Sequence, residues 1–273
     1  ASLQSIERAC ARIAAEVLIV RPRGRPPLRE SQAVTLREVS VDDVTLVPVR
    51  WGVGVVAARA PVFGCLTTEF TVHADWATAS LAALAGGAAG AAGAIELAPN
   101  TGMTAAAVYL VRFGAYLPRI GGTLRSTEQI PGDTAAYRRR DVVAFPDLLA
   151  TGFWEIEFHT RFLAQGRHLL AIPKALAVFR STRSLSASLV LRFRHGTEFG
   201  AVRVVQKHHG RWRLMLAAPI VPSVLLARIV RRAAGAPGGG RLLVRSLPVV
   251  VLLCAAWATG EACGAWSAGS SRR

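Results

Sequence analysis

The residues best suited to chemistry are two acidic groups in the middle third of the chain. One is Asp133, in Gly132-Asp133-Thr134-Ala135-Ala136-Tyr137-Arg138-Arg139. The other is Glu155 with Glu157, in Gly152-Phe153-Trp154-Glu155-Ile156-Glu157-Phe158-His159. Each stands at the start of a predicted helix, in a chain with 17 acidic residues against 33 basic ones. A carboxylate at the mouth of an α/β sheet can take the proton from a hydroxyl as its oxygen attacks, or hold that hydroxyl in place. Glu157 has Arg161 four residues on, in the order that favours a helical surface pair. Glu155 has only His159 at that spacing, which makes it the better base. The alternative is an acid favoured by the helix macrodipole. Asp133 suits an acceptor contact or an N-cap.

A third acidic group, Glu69 and Asp75, lies in Thr67-Thr68-Glu69-Phe70-Thr71-Val72-His73-Ala74-Asp75. It offers oxygen ligands to a hard divalent cation, Mn2+ or Mg2+, with Glu69 the first candidate and Asp75 the reserve. Arg21 and Arg23 can neutralise a diphosphate directly, or serve as surface arginines. His195, His208 and His209 read as solvated rather than metal-binding, because Lys207 and Arg211 beside the adjacent pair repel a cation. Trp154, Phe158 and Phe162 share one helical face and predict core packing.

The elements that must position these groups follow from apolar periodicity. Residues 2–15 form an amphipathic helical pattern, and residues 17–20 a continuously apolar run typical of a buried strand. The spacing predicts further strands over 44–49 and 62–67, and helices over 53–60 and 76–84. A Gly/Ala-rich run over 85–94 then leads into a strand at 94–97. Strands alternating with helices in this way indicate a doubly wound, mostly parallel α/β domain over residues 1–213. Ligands in such sheets bind beyond the carboxyl ends of the strands. Residues 214–273 read as an apolar helical tail. Its run 246–260, preceded by a Gly-rich linker over 235–240, is shorter than the ~20 residues that a bilayer crossing takes. Residues 263–268 extend it if Glu261 is tolerated. Flanking arginines suit helices at the cytoplasmic face of a membrane, and a hairpin packed on protein is the alternative.

Composition narrows the partners. The chain is 52% hydrophobic and 18% charged, too apolar for disorder. Its formal charge is +16, with Lys174 and Lys207 the only lysines. Such usage marks a GC-rich coding sequence, so part of the basicity is compositional. The remainder favours phosphate-bearing partners: a nucleotide or an anionic membrane. No nucleic acid is expected, since the arginines are dispersed and no RNP, zinc-finger or helix-turn-helix pattern is present. Cys10, Cys65, Cys254 and Cys263 form no CxxC pair and predict free, buried thiols in a reducing compartment. The first twenty residues lack the apolar core of a signal peptide.

An ordered series of segments resembles family-2 glycosyltransferases with a GT-A fold. Gly132 to Arg139 is similar to their G-x-N-x-A-x-R-R segment. Trp154-Glu155-Ile156-Glu157-Phe158, with Arg161-Phe162 and Gly166, resembles E-D-x-D-L…R-L…G. Pro173-Lys174-Ala175-Leu176-Ala177-Val178 resembles the P-x-A-x-V strand. Arg194-His195-Gly196, Phe199-Gly200 and Arg203, with the tail from Leu247-Pro248 to Ala262, resemble membrane-associated bacterial members.

The resemblance implies a GT-A-like, Rossmann-like sheet and transfer of a sugar from a nucleotide-diphosphate donor. The acceptor would be a hydroxyl on a glycan or a lipid-linked chain, as in polysaccharide biosynthesis. Glu155 takes the place of the family's catalytic aspartate, and Asp133, Thr134 and Trp154 fall on the acceptor side. Arg21 and Glu69 fall on the donor side, with Glu69 and Asp75 as cation ligands; a homo-oligomer is compatible with the subgroup. The chain departs from the pattern in beginning at the helix after the family's first strand. It also has Arg21-Pro22-Arg23 where an acid is usual, and an unpaired Glu69. A degenerate, non-catalytic binding or assembly subunit is therefore the second expectation.

Overall fold

Short apolar runs cut by glycine and proline can make only short strands, and that is what forms. The computed structural model describes residues 2–26, 31, 33–42, 46–119, 124–205 and 210–270. Val44, Thr45, Lys207, His208 and His209 lie outside the described residues. The first elements are α1 (Ser2–Ala9), β1 (Glu16–Pro22), β2 (Thr35–Val41), α2 (Val47–Ala57), β3 (Val62–Gly64), β4 (Phe70–Val72) and α3 (Trp76–Ala85). Next come β5 (Gly90–Ala92), β6 (Ile95–Leu97), α4 (Met103–Phe113), β7 (Arg125–Thr127), a 3-10 turn (Gly132–Thr134), β8 (Ala136–Arg138), α5 (Arg139–Val143) and α6 (Pro146–Leu149). The chain continues through α7 (Glu155–Ala164), β9 (Leu169–Ala171), β10 (Ala177–Phe179), α8 (Leu185–Val205), α9 (Arg211–Ala217), α10 (Val221–Ala234) and α11 (Gly239–Ser270). Two compact units result: Ala1–Glu96 with Gly121–Phe179, and Leu97–Ile120 with Arg180–Arg273.

The first unit is mixed α/β. β1 and β2 pair in parallel, and a three-stranded sheet has the order β4-β10-β6. The five-stranded sheet has the order β3-β8-β5-β9-β7. In it only β5 and β9 are parallel; β3–β8, β8–β5 and β7–β9 are antiparallel. The sheets are thus mixed rather than mostly parallel. The strand expected at 44–49 is corrected as well, because residues from Val47 on are helical. Pro48 stands in the first turn of α2, where its missing N–H costs nothing and its fixed φ suits a helix. The partner of β1 is instead Thr-Leu-Arg-Glu-Val-Ser-Val. It is only partly covered: Thr35, Glu38 and Ser40 are exposed and the other four residues are half-buried.

Aromatic burial holds this unit together. Tyr137, Phe153, Phe158 and Phe162 are fully buried. Phe153 lies 4.8 Å from Phe158 and 5.1 Å from Tyr137, centroid to centroid. Each such ring contributes roughly 1.5–3 kcal/mol by leaving water. Small residues in β5 make room for them: a Cβ on Gly90 would stand 2.7 Å from Tyr137 Cε1.

The second unit is helical. α8 and α11 run side by side in the same direction, and glycines let their backbones touch. A Cβ on Gly196 would strike the carbonyl of Trp257, one on Gly200 that of Glu261, and one on Gly264 that of Thr197. Glu261 is buried at this seam and is tolerated because it pairs with Arg203 of α8. α11 is longer than the apolar run alone implied. Gly239 and Gly240 form its first turn rather than a linker, and Pro248 lies within it. It is long and apolar enough to cross a membrane, with a mean hydropathy of 2.0, though 39% of its most apolar window is buried.

Candidate functional site

The two acidic groups meet, and the sheet explains how. β3 ends at Gly64, and the next N–H, that of Cys65, donates to Ala135 O at 3.0 Å. This extends the β3–β8 pairing back to the 3-10 turn that carries Asp133. The turn is closed by Thr134 N–H donating to Pro131 O at 3.1 Å. Trp76 clamps it from α3, its indole N–H donating to Thr134 O at 3.0 Å. The expected helix start at Asp133 is therefore a correction. Ala136-Tyr137-Arg138 pairs with β3 on one side and β5 on the other, and two ladders outweigh local helix propensity.

Glu155 arrives from the opposite direction, at the first position of α7. Trp154 is the residue before it, half-buried, and its indole N–H donates to Thr151 O at 3.1 Å. The side chain of Glu155 lies directly on Gly132: a Cβ there would stand 2.6 Å from its Cγ and 2.7 Å from its Cδ. Any other residue at 132 would displace the carboxylate. Beneath both acids sits Cys65, fully buried; burial first, then the charges of Glu155 and Asp133, push its thiol well above its usual range. One buried sulfur thus feels both carboxylates.

α7 and β8 are also tied beneath the acids. Tyr137 Oη and His159 Nε2 are hydrogen-bonded at 2.9 Å, both residues being buried. Burial pushes the His159 imidazole down to about 4, so it is neutral at pH 7. Its Nδ1 and the hydroxyl of Thr134 are enclosed without a partner among the described residues. Glu157 is exposed, and Arg161 reaches Asp147 on α6 at 3.3 Å. Phe158 and Phe162 are core, as their spacing predicted.

The other expected residues lie apart from this meeting point. Glu69 is half-buried before β4, and Asp75 is exposed beyond it at the N-cap of α3, which its side chain does not cap. Among the described residues no three of His, Cys, Asp or Glu converge. Two carboxylates at opposite ends of a strand do not form a cage for a hard cation unaided. Arg21 is held by Glu38 at 2.5 Å and by Pro26 O at 2.6 Å. Beyond the carboxyl ends of β1 and β2 lies a depression of about 390 Å³, lined by Pro22, Arg23, Gly24, Arg25, Val41 and Asp42. His195 is half-buried on α8 rather than solvated.

Sequence reasoning missed Cys65, Trp76 and the Tyr137–His159 pair as parts of this site. Only the last left a signal, a tyrosine and a histidine each within one of the two acidic segments. Compared with known proteins, the chain matches no family model and no curated protein.

Proposed function

We propose that the first unit is a GT-A-like glycosyl-transfer domain acting on a nucleotide-diphosphate sugar and a hydroxyl acceptor. The observation that carries this reading is the contact of Glu155 with Gly132, which unites the base and acceptor segments. Glu155 takes the acceptor's hydroxyl proton while the acceptor oxygen bonds to the anomeric carbon. The bond from that carbon to the donor's phosphate oxygen breaks, and the nucleoside diphosphate leaves with the bonding pair. Asp133, with Thr134 and Trp154 beside it, orients the acceptor. Arg23, lining the depression beyond β1 and β2, is the candidate for the diphosphate. A divalent cation, if required, enters on the donor's own phosphates with Glu69 as its protein carboxylate, and no step here depends on it.

The second unit is the membrane-facing part in this reading. Its two stretches hold 17 basic and 2 acidic residues. Large apolar side chains stand in solvent there, including Leu216 at 77%, Val244 at 74% and Ile220 at 63% exposure. That combination suits an anionic bilayer surface and a lipid-linked acceptor.

Purified protein offered UDP-, GDP- and dTDP-sugars with Mn2+ should release nucleoside diphosphate from one of them. Glu155→Gln should lower turnover about 10²–10⁴-fold; unchanged turnover would remove Glu155 as the base. One observation favours a non-catalytic binding subunit instead: Arg21 is committed to Glu38 rather than open to a diphosphate. That reading predicts no thermal shift with any sugar nucleotide.

A further inference from the structure

Two prolines break what would otherwise be one helix from Arg211 to Ala234. Pro219 and Pro222 have no N–H to give to the carbonyls four residues back, and α9 and α10 meet there at 62°. One face of this elbow packs inward, through Leu214 on α9 and Ile229 and Ala233 on α10. Another face stays in solvent although it is apolar: Trp212, Leu216, Ile220 and Val224 recur every four residues and are all exposed. At its first end this row meets Arg211, whose guanidinium lies 5.2 Å from the Trp212 ring centre and 5.6 Å from that of Trp266 on α11. The two indoles stand edge to face, 5.8 Å apart. At the other end, four residues beyond Val224, comes exposed Arg228, followed by exposed Arg231 and Arg232. A row of large apolar side chains left in water, rimmed by charge, is a contact surface.

The charge around the row selects what covers it. Residues 211–245 hold seven arginines and no acidic residue. Pairing with a second copy of the same face would set arginine against arginine. An anionic headgroup layer above hydrocarbon meets the arginines and the apolar row at once. α9 and α10 have 7 and 14 residues, and a bilayer crossing takes ~20, so neither helix crosses by itself. An apolar helical face flanked by arginine sinks instead about 5–10 Å, to the boundary between headgroups and acyl chains. We propose that the α9–α10 elbow is a shallow anchor in an anionic leaflet, with Leu216 and Ile220 among the acyl chains and Arg211 and Arg228 at the lipid phosphates. Trp212 and Trp266 then sit at headgroup level, where an amphipathic indole is favoured. This rests on the membrane-facing reading of the second unit and assigns that role to one element of it.

The test uses the full chain and phosphatidylcholine vesicles with and without phosphatidylglycerol. The parent should co-sediment with the anionic vesicles, more weakly as salt rises. Leu216→Glu and Ile220→Glu should each weaken that binding about tenfold or more, since each removes a large buried apolar group from the leaflet. Both positions are exposed, so the unfolding temperature should not change. Val56→Glu, an equally exposed valine on α2 in the first unit, should leave binding as it was. Arg228→Gln with Arg231→Gln should lower the preference for phosphatidylglycerol and spare binding to phosphatidylcholine alone. Lipids brominated near the headgroup end of the acyl chain should quench tryptophan emission more than lipids brominated near its tip, and Trp212→Phe should reduce that quenching. A parent that binds no vesicles overturns the membrane-facing reading and the anchor with it. A parent that binds, with Leu216→Glu and Ile220→Glu binding equally well, overturns the anchor alone. Deeper quenching by the tip-brominated lipids, or a dimer that Leu216→Glu splits without any loss of vesicle binding, overturns it too.

Discussion

Acidification should destabilise the first unit through one imidazole. His159 is 1% exposed and bonded through Nε2 to Tyr137 Oη, and its titration falls from 6.5 to about 4 in the fold. Below pH 6.5 the unfolded chain takes up a proton that the folded chain refuses, so stability present above that value is lost as pH falls towards 4. Each pH unit in that window costs about 1.4 kcal/mol, and the full loss is about 3 kcal/mol. That is a large share of the 5–15 kcal/mol typical of a whole domain. Urea unfolding followed from pH 7 to pH 4.5 measures it directly. His159→Gln keeps an amide within reach of the Tyr137 hydroxyl and removes the titration. Its stability should start lower at pH 7 and then fall less steeply, by close to one proton. Carboxylates such as Glu16 titrate alike in both proteins and cancel in the comparison. Equal pH slopes in parent and variant would show that His159 is not the neutral, enclosed group described here.

Three further outcomes follow from packing and exposure. Gly132→Ala should fold, yet push Glu155 aside and lower donor turnover about 10²-fold, the usual cost of a 1 Å misplacement; sugar-nucleotide turnover checks this. Gly264→Ala, which would gain up to about 1 kcal/mol in an isolated helix, should instead lower the urea midpoint. Its Cβ meets the Thr197 carbonyl, and backbone cannot swing away. Of the free cysteines only Cys263 is exposed, so a thiol reagent should label one site rapidly and the rest only in denaturant. Fast labelling of Cys65 would contradict its burial beneath the two acids.

Much of the candidate site was legible because its parts are local. Glu155 opens a helix whose apolar face, Phe158 and Phe162, follows the helical period, so its position could be read directly. Asp133 was singled out for the same reason, but its turn was misread. Whether Ala136-Tyr137-Arg138 is strand or helix depends on β3 and β5, which lie far away in the chain. Trp76 and Cys65 were invisible as site residues because they reach the turn through tertiary contacts alone. The mostly parallel sheet failed on similar grounds. Strand identity was readable in β1, whereas strand direction is fixed by pairings that periodicity does not encode.

The seam between α8 and α11 also decides what the tail can do at a membrane. By length α11 qualifies as a span, but it does not act alone. Gly196, Gly200 and Gly264 lock it backbone-to-backbone against α8, so wherever α11 goes α8 goes too. α8 carries Arg192, Arg194, Glu198 and Arg203, and Glu261 of the partner helix pairs with Arg203. Placing an arginine at the centre of a bilayer costs about 2.5–3.5 kcal/mol on the insertion scale. Separating the helices instead would strand Glu261, which the seam now pairs. The arrangement that avoids both costs keeps the seam within protein and the exposed apolar side chains of α9, α10 and α11 against lipid. Trp212 and Trp266, with Arg211 stacked on both, are the composition that favours the headgroup level. On the membrane-facing reading proposed for the second unit, the helix pair lies along the surface with its arginines towards the phosphates.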